Sequence, residues 1–148
     1  MRVIQIFLDN SLRNFNYILY SEITKHAIVF DPFSAERIVE VCQQAGITPR
    51  YLLNTHSHPD HIQANNEILE LPEVQNLSLA HNEVFQLSVD EKIVCLHTPG
   101  HVADHYCYFL YEKDTMPGVI TGDTVFNGGV GNCKNGGNPD VLSHTIRD

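Results

Sequence analysis

From Leu52 to His61 the sequence reads LLNTHSHPDH, an apolar run that breaks into three histidines and one aspartate within six positions. This crowding constrains the fold more than any other feature. Four ionisable side chains cannot sit inside a core without partners, so the run before them must end at a rim. A strand that stops in a tight loop presents its next side chains at the edge of a sheet, where ligands bind. In an extended segment alternate residues point the same way, so His56 and His58 converge, while a turn at Pro59 redirects Asp60 and His61. That spacing suits two adjacent metal ions. Imidazole and carboxylate are ligands that zinc prefers and that iron or manganese accepts. The plainer alternative is a polar loop whose histidines hydrogen-bond one another.

Two further strings point to the same rim. LHTPGHVADH places His97, His101 and His105 after another strand-like run, and Pro99 with Gly100 forces a turn that carries His101 outward. His101 is the candidate ligand of this group. His97 and His105 lie on or beside strands, where a histidine is more often packed and hydrogen-bonded. VITGDTVF ends an apolar strand at Gly122 and Asp123. An aspartate in that position is costly to bury unless positive charge meets it, and between two cations it would serve as a bridge.

The rest of the chain supplies strands and helices to carry these loops. VIQIFL, NYILY and HAIVF, separated by turn-like segments, predict an antiparallel meander. SAERIVEVCQQAG predicts an amphipathic helix with Ser34 as its cap and Gly46 as its stop. A second helix is expected from Ile62 to Leu71, ended by Pro72. Further strands are expected at VQNLSLA, KIVCLHT, HYCYFLY and GVITG, then a glycine-rich loop and a weak helix over PDVLSHTIRD. The order predicts an α/β layered domain with a mixed sheet.

Length and composition narrow the class. The 148 residues suffice for one domain over 1–148, and 43% apolar with 18% charged residues is the balance of a folded soluble protein. No apolar run approaches the roughly twenty residues of a membrane-spanning helix, and nothing at the start marks the chain for export. The four cysteines are widely spaced with no CxxC pair, which fits a reducing cytoplasm. A net charge of -9, with nine Lys and Arg spread along the chain, offers no stripe for nucleic acid.

THSHPDH at 55–61, HTPGH at 97–101 and TGDTVF at 121–126 together resemble the ordered signature of the metallo-β-lactamase fold superfamily, most closely its glyoxalase II branch, the hydroxyacylglutathione hydrolases. The resemblance implies an αββα sandwich with a metal centre at one edge of two facing sheets. It implies a first metal held by His56, His58 and His101, a second by Asp60 and His61, and Asp123 bridging them. It implies hydrolysis of a small-molecule thioester by a metal-bound hydroxide, with zinc in two sites. Because a thiol's pKa is near 8.5, thiolate leaves with little protonation, and the motifs supply no dedicated general acid.

Two departures from that pattern shape the remaining expectations. The family's second metal takes a further histidine from a later strand, followed by a helical region that helps hold glutathione; this chain stops at Asp148, before either. The second site is then incomplete and the second half of the sandwich with it. His144 reads as a surface residue and does not fill the gap. In the loop after Asp123, NGGVGNCKNGG offers Lys134 as a basic substrate contact and no aromatic. One alternative is a mononuclear iron persulfide dioxygenase, which the signature also resembles, using His56, His101 and Asp123. Another is an inactive fragment, or one that needs a complementing polypeptide or a second copy at an exposed sheet edge.

Overall fold

A computed structural model describes residues 1–147. The chain packs as two compact units, one made of residues 1–54, 58–78 and 87–89, the other of 55–57, 79–86 and 90 onward.

The first unit opens with the expected meander. Strands β1 (Arg2–Phe7), β2 (Phe15–Tyr20) and β3 (His26–Phe30) pair antiparallel in sequence order. β3 is apolar on both faces, and its last four residues are buried, as befits a strand with neighbours on either side. Helix α1 (Ala35–Ala45) follows. Ser34 caps it by accepting a hydrogen bond from the Arg37 backbone N–H, and Gly46 ends it at φ 64°, where its own N–H reaches the carbonyls of Cys42 and Gln43. Ile38 and Cys42, four residues apart, are its buried face.

The helix returns the chain to β4 (Thr48–Leu53), which lies parallel to β3. This βαβ crossover puts the carboxyl ends of β3 and β4 side by side, and the loops after them begin together: the Asp31 N–H donates to the Leu53 carbonyl at 3.2 Å. Ile6, Ile18, Val29, Ile38, Leu52 and Ile68 belong to the core that fixes this arrangement. Each fully buried aliphatic side chain contributes about 1.5–3 kcal/mol.

Two expectations need correction, and one strand went unforeseen. The single helix from Ile62 to Leu71 is instead two short ones, α2 (Pro59–Ile62) and α3 (Asn65–Leu69). Ala64 interrupts them at φ −103°, ψ 19°, because its N–H bonds the Pro32 carbonyl at 2.9 Å and not the preceding turn. The strand expected over VQNLSLA shrinks to β5 (Gln75–Asn76), paired with Tyr51 and Leu52. Periodicity also missed β6 (Val84–Ser88), where Gln86 and Ser88 interrupt the apolar run and Val84 is exposed.

β6 heads the second sheet, whose order is β6, β7 (Glu91–His97), β8 (Tyr106–Glu112), β9 (Thr115–Ile120). β7 alternates cleanly, with Glu91, Ile93 and Cys95 buried and the residues between them half-buried. β9 starts three residues before the expected GVITG and ends the sheet, a position that tolerates Pro117. Helix α4 (Pro139–Arg147) closes the second unit and buries Leu142. A Cβ on Gly100 would collide with the Leu142 backbone, so α4 lies directly on the turn that carries His101.

Candidate metal centre

In the first unit the site is built on the carboxyl ends of β3 and β4. Asp31 follows β3 in a left-handed conformation, φ 50°, which a residue with a Cβ adopts only under constraint. Asn16, itself buried, supplies it: its amide donates to the Asp31 carbonyl at 2.7 Å and its side-chain oxygen accepts from the Phe33 N–H at 3.3 Å. Held this way, the Asp31 carboxylate meets His61 Nδ1 at 2.9 Å. His61 is turned inward by α2, and its backbone carbonyl is tied to the Asn54 side chain at 2.8 Å.

A carboxylate only accepts, so in neutral His61 the Nδ1 carries the proton and Nε2 presents a lone pair. That lone pair faces Asp60 Oδ2 at 3.6 Å. Asn14 donates to the same carboxylate oxygen at 2.9 Å and fixes its direction. His58 precedes α2 in extended conformation and is half-buried. Asp31, Asn14 and Asn16 were not singled out by sequence reasoning. The one available signal was the DP pair that ends β3; the two asparagines carry none.

The second unit repeats the logic with different parts. Thr55 to Ser57 belong to it, and the Tyr106 N–H donates to the Thr55 carbonyl at 2.7 Å. His56 is buried beside His101 and His105, its ring centroid 4.9 Å from each. His101 Nδ1 lies 2.6 Å from the Asn132 backbone carbonyl, again an acceptor only, which leaves Nε2 as a lone pair facing Asp123 Oδ2 at 3.3 Å. Ligand atoms of His56 and His101, and of His56 and Asp123, come within 4.8 Å. The remaining candidates lie apart from this group. Lys134 is exposed on the glycine-rich loop, its N–H bonded to the Asn132 side chain at 3.0 Å. His97 and His144 are exposed, each with one ring nitrogen on a backbone carbonyl.

In each unit, then, an imidazole nitrogen faces a carboxylate oxygen, at 3.6 Å in the first and 3.3 Å in the second. Two acceptors at that distance repel unless a proton or a cation is shared. The donor set of nitrogen and oxygen, with each ring anchored through its other nitrogen, is the chemistry a divalent transition metal takes up.

Residues 13–85 of the chain match the family pattern of the metallo-β-lactamase superfamily. Among curated relatives the chain is 39% identical to a hydroxyacylglutathione hydrolase of Francisella philomiragia over 88% of its own length, and 31% identical to one of Nitrosococcus oceani over 99%. It spans 55% and 60% of those two proteins. Of solved structures, ETHE1 from Myxococcus xanthus superposes with a TM-score of 0.86 at 24% identity, covering 99% of this chain and 68% of that one. That likeness shows the fold alone.

Proposed function

We propose that the chain is a metal-dependent hydrolase domain acting on glutathione-type thioesters. The observation that carries this reading is the clustering of metal-ligating atoms, those of His56 and His101 and those of His56 and Asp123 within 4.8 Å, with His61 Nε2 facing Asp60 Oδ2 at 3.6 Å. The names of the curated relatives support the substrate class. His56, His58 and His101 would hold the first ion, Asp60 and His61 the second, with Asp123 as bridge. Zinc suits all six, and iron or manganese is compatible with them. When bound, such ions lower the pKa of water to about 7 and polarise a carbonyl oxygen.

The chain's own residues do the rest. Asp31 and Asn132 keep the outer nitrogens of His61 and His101 protonated, so the inner ones stay available. Lys134 contributes the one positive charge of the loop after Asp123 and would meet an anionic part of the substrate. The leaving thiolate asks for no buried acid, and none of the exposed histidines is required for one. No described helix is long and apolar enough to cross a membrane, and we place the protein in the cytoplasm on its unpaired cysteines. β9 ends its sheet, and a second copy or a complementing polypeptide would pair there.

A single-iron persulfide dioxygenase is the second reading, favoured by one observation: His56, His101 and Asp123 all lie in the second unit. Metal content per chain, measured by plasma mass spectrometry on protein purified without chelators, separates the two. Two ions and hydrolysis of a glutathione thioester support the hydrolase. One iron, with oxygen consumed in the presence of glutathione persulfide, would replace it with the oxygenase, and no metal at all would sink both.

A further inference from the structure

His105 is fully buried, yet neither reading gives it a task. Its ring lies nearly parallel to that of His56, with 4.9 Å between centroids and 25° between planes. Its Nε2 is 3.0 Å from the Asp123 backbone nitrogen. Since a backbone N–H only donates, Nε2 must accept, and the ring proton of neutral His105 sits on Nδ1. There it meets the hydroxyls of Thr98 at 3.0 Å and Thr124 at 3.1 Å.

Beyond the ring the donors continue in one direction. Thr124 donates to Thr98 at 3.4 Å, Thr98 to the Cys107 sulfur at 3.3 Å, and Cys107 to the Thr121 carbonyl at 3.5 Å. Every proton in this series has one consistent place, and reversing the ring would leave the Asp123 N–H facing another donor. Burial pushes the Cys107 thiol up, which keeps it protonated as the series requires. Gly122 shows how close the approach is: at φ 47°, a Cβ there would stand 2.7 Å from His105 Nε2 and 2.5 Å from the Thr55 hydroxyl.

We propose that His105 is a positioning residue, which in its Nδ1-protonated form fixes the Asp123 backbone at one nitrogen while its face sets the plane of His56. One buried ring thereby places two ligands at once. The inference rests on the reading of His56 and Asp123 as metal ligands, and it assigns His105 no contact with substrate or metal.

The test compares the wild-type chain with His105→Phe, which keeps a flat ring but no acceptor, and His105→Gln, which keeps an acceptor amide but no stacking face. In metal-free wild type, long-range proton–nitrogen correlation should place the His105 proton on Nδ1. Zinc affinity, measured by competition with a chromogenic chelator, should fall about 10–100-fold in His105→Phe, the cost of losing a group that orients a ligand. His105→Gln should recover most of that loss, which a role in packing alone would not produce. A proton on Nε2, or His105→Phe binding zinc as tightly as wild type, overturns the proposal and leaves the metal reading intact. Wild type that binds no zinc overturns the metal reading itself, and the proposal with it. Should His105→Phe fail to fold, the tautomer and the Gln variant still decide.

Discussion

The two units hold an imidazole against a carboxylate by different means. In the first, His61 is oriented by a side chain, Asp31, and faces Asp60 at 3.6 Å. In the second, His101 is oriented by a backbone carbonyl, that of Asn132, and faces Asp123 at 3.3 Å. The first arrangement sets a negative charge behind the ring. The second adds only a dipole, and depends on the path of the glycine-rich loop. The lesson is that the same donor geometry can be set by charge in one place and by chain shape in another, so the two should fail under different substitutions.

Removing the facing carboxylates gives the largest effect. Asp123→Ala and Asp60→Ala should each lower thioester hydrolysis by more than about a hundredfold, beyond the 10–100-fold typical of a group that only orients a ligand. Undiminished turnover in either purified variant would remove that aspartate from the site. Behind the ring, Asp31→Ala should weaken metal binding by about 10–100-fold, whereas Asp31→Asn, which keeps an acceptor and loses the charge, should fall between. Equal affinities for Asn and wild type would show that the charge behind His61 does nothing.

No side-chain deletion can copy this experiment in the second unit, because a carbonyl cannot be removed. Loop shape can be altered instead. A Cβ on Gly131 would press on the Asp123 carbonyl and come within 2.7 Å of His101 Nδ1. Gly131→Ala should therefore destabilise by about 1–3 kcal/mol and weaken zinc binding as the His101 anchor shifts. Chelator competition and thermal unfolding on the same sample check both. A lower melting temperature with unchanged affinity would show that the loop does not aim His101.

What the sequence made legible follows from what each residue must do locally. His56, His58, Asp60 and His61 stand out because several metal-ligating residue types crowd one strand end, and α1 stands out because Ser34 and Gly46 mark both its ends. Asp31 and Asn14 were invisible for the opposite reason. Each is an ordinary polar residue whose meaning lies in one partner, 30 and 46 positions away, and only tertiary structure supplies that partner. The helix expected from Ile62 to Leu71 failed in the same way: local propensity favoured one helix, and a hydrogen bond from Ala64 to Pro32 divided it. His105 was legible as a packed histidine, but its acceptor role toward Asp123 was not.

Smaller effects separate the scaffolds beneath the two positions. Ser34→Ala removes the cap of α1 and should lower stability by about 1 kcal/mol, read from denaturant unfolding, without changing metal affinity. An altered affinity would mean that the first position is coupled to the far end of that helix.

Alkaline pH probes the two scaffolds together. Burial pushes Cys42 in the first unit, and Cys95 in the second, from 9.0 up to about 11. For Cys95 the nearby Glu83 and Cys107 add to the effect of burial. A thiol whose pKa is raised by folding binds its proton more tightly in the native state. Its stabilising contribution is whole below 9.0 and is lost as the pH climbs toward 11. Each thiol can account for at most about 1.4 kcal/mol per pH step of one. The melting temperature should thus fall across that window, and Cys42→Ala, although less stable at neutral pH for the packing it loses, should show a shallower fall. If its slope matches that of wild type, Cys42 does not titrate with unfolding, and the alkaline sensitivity belongs to the sheet of β6 to β9.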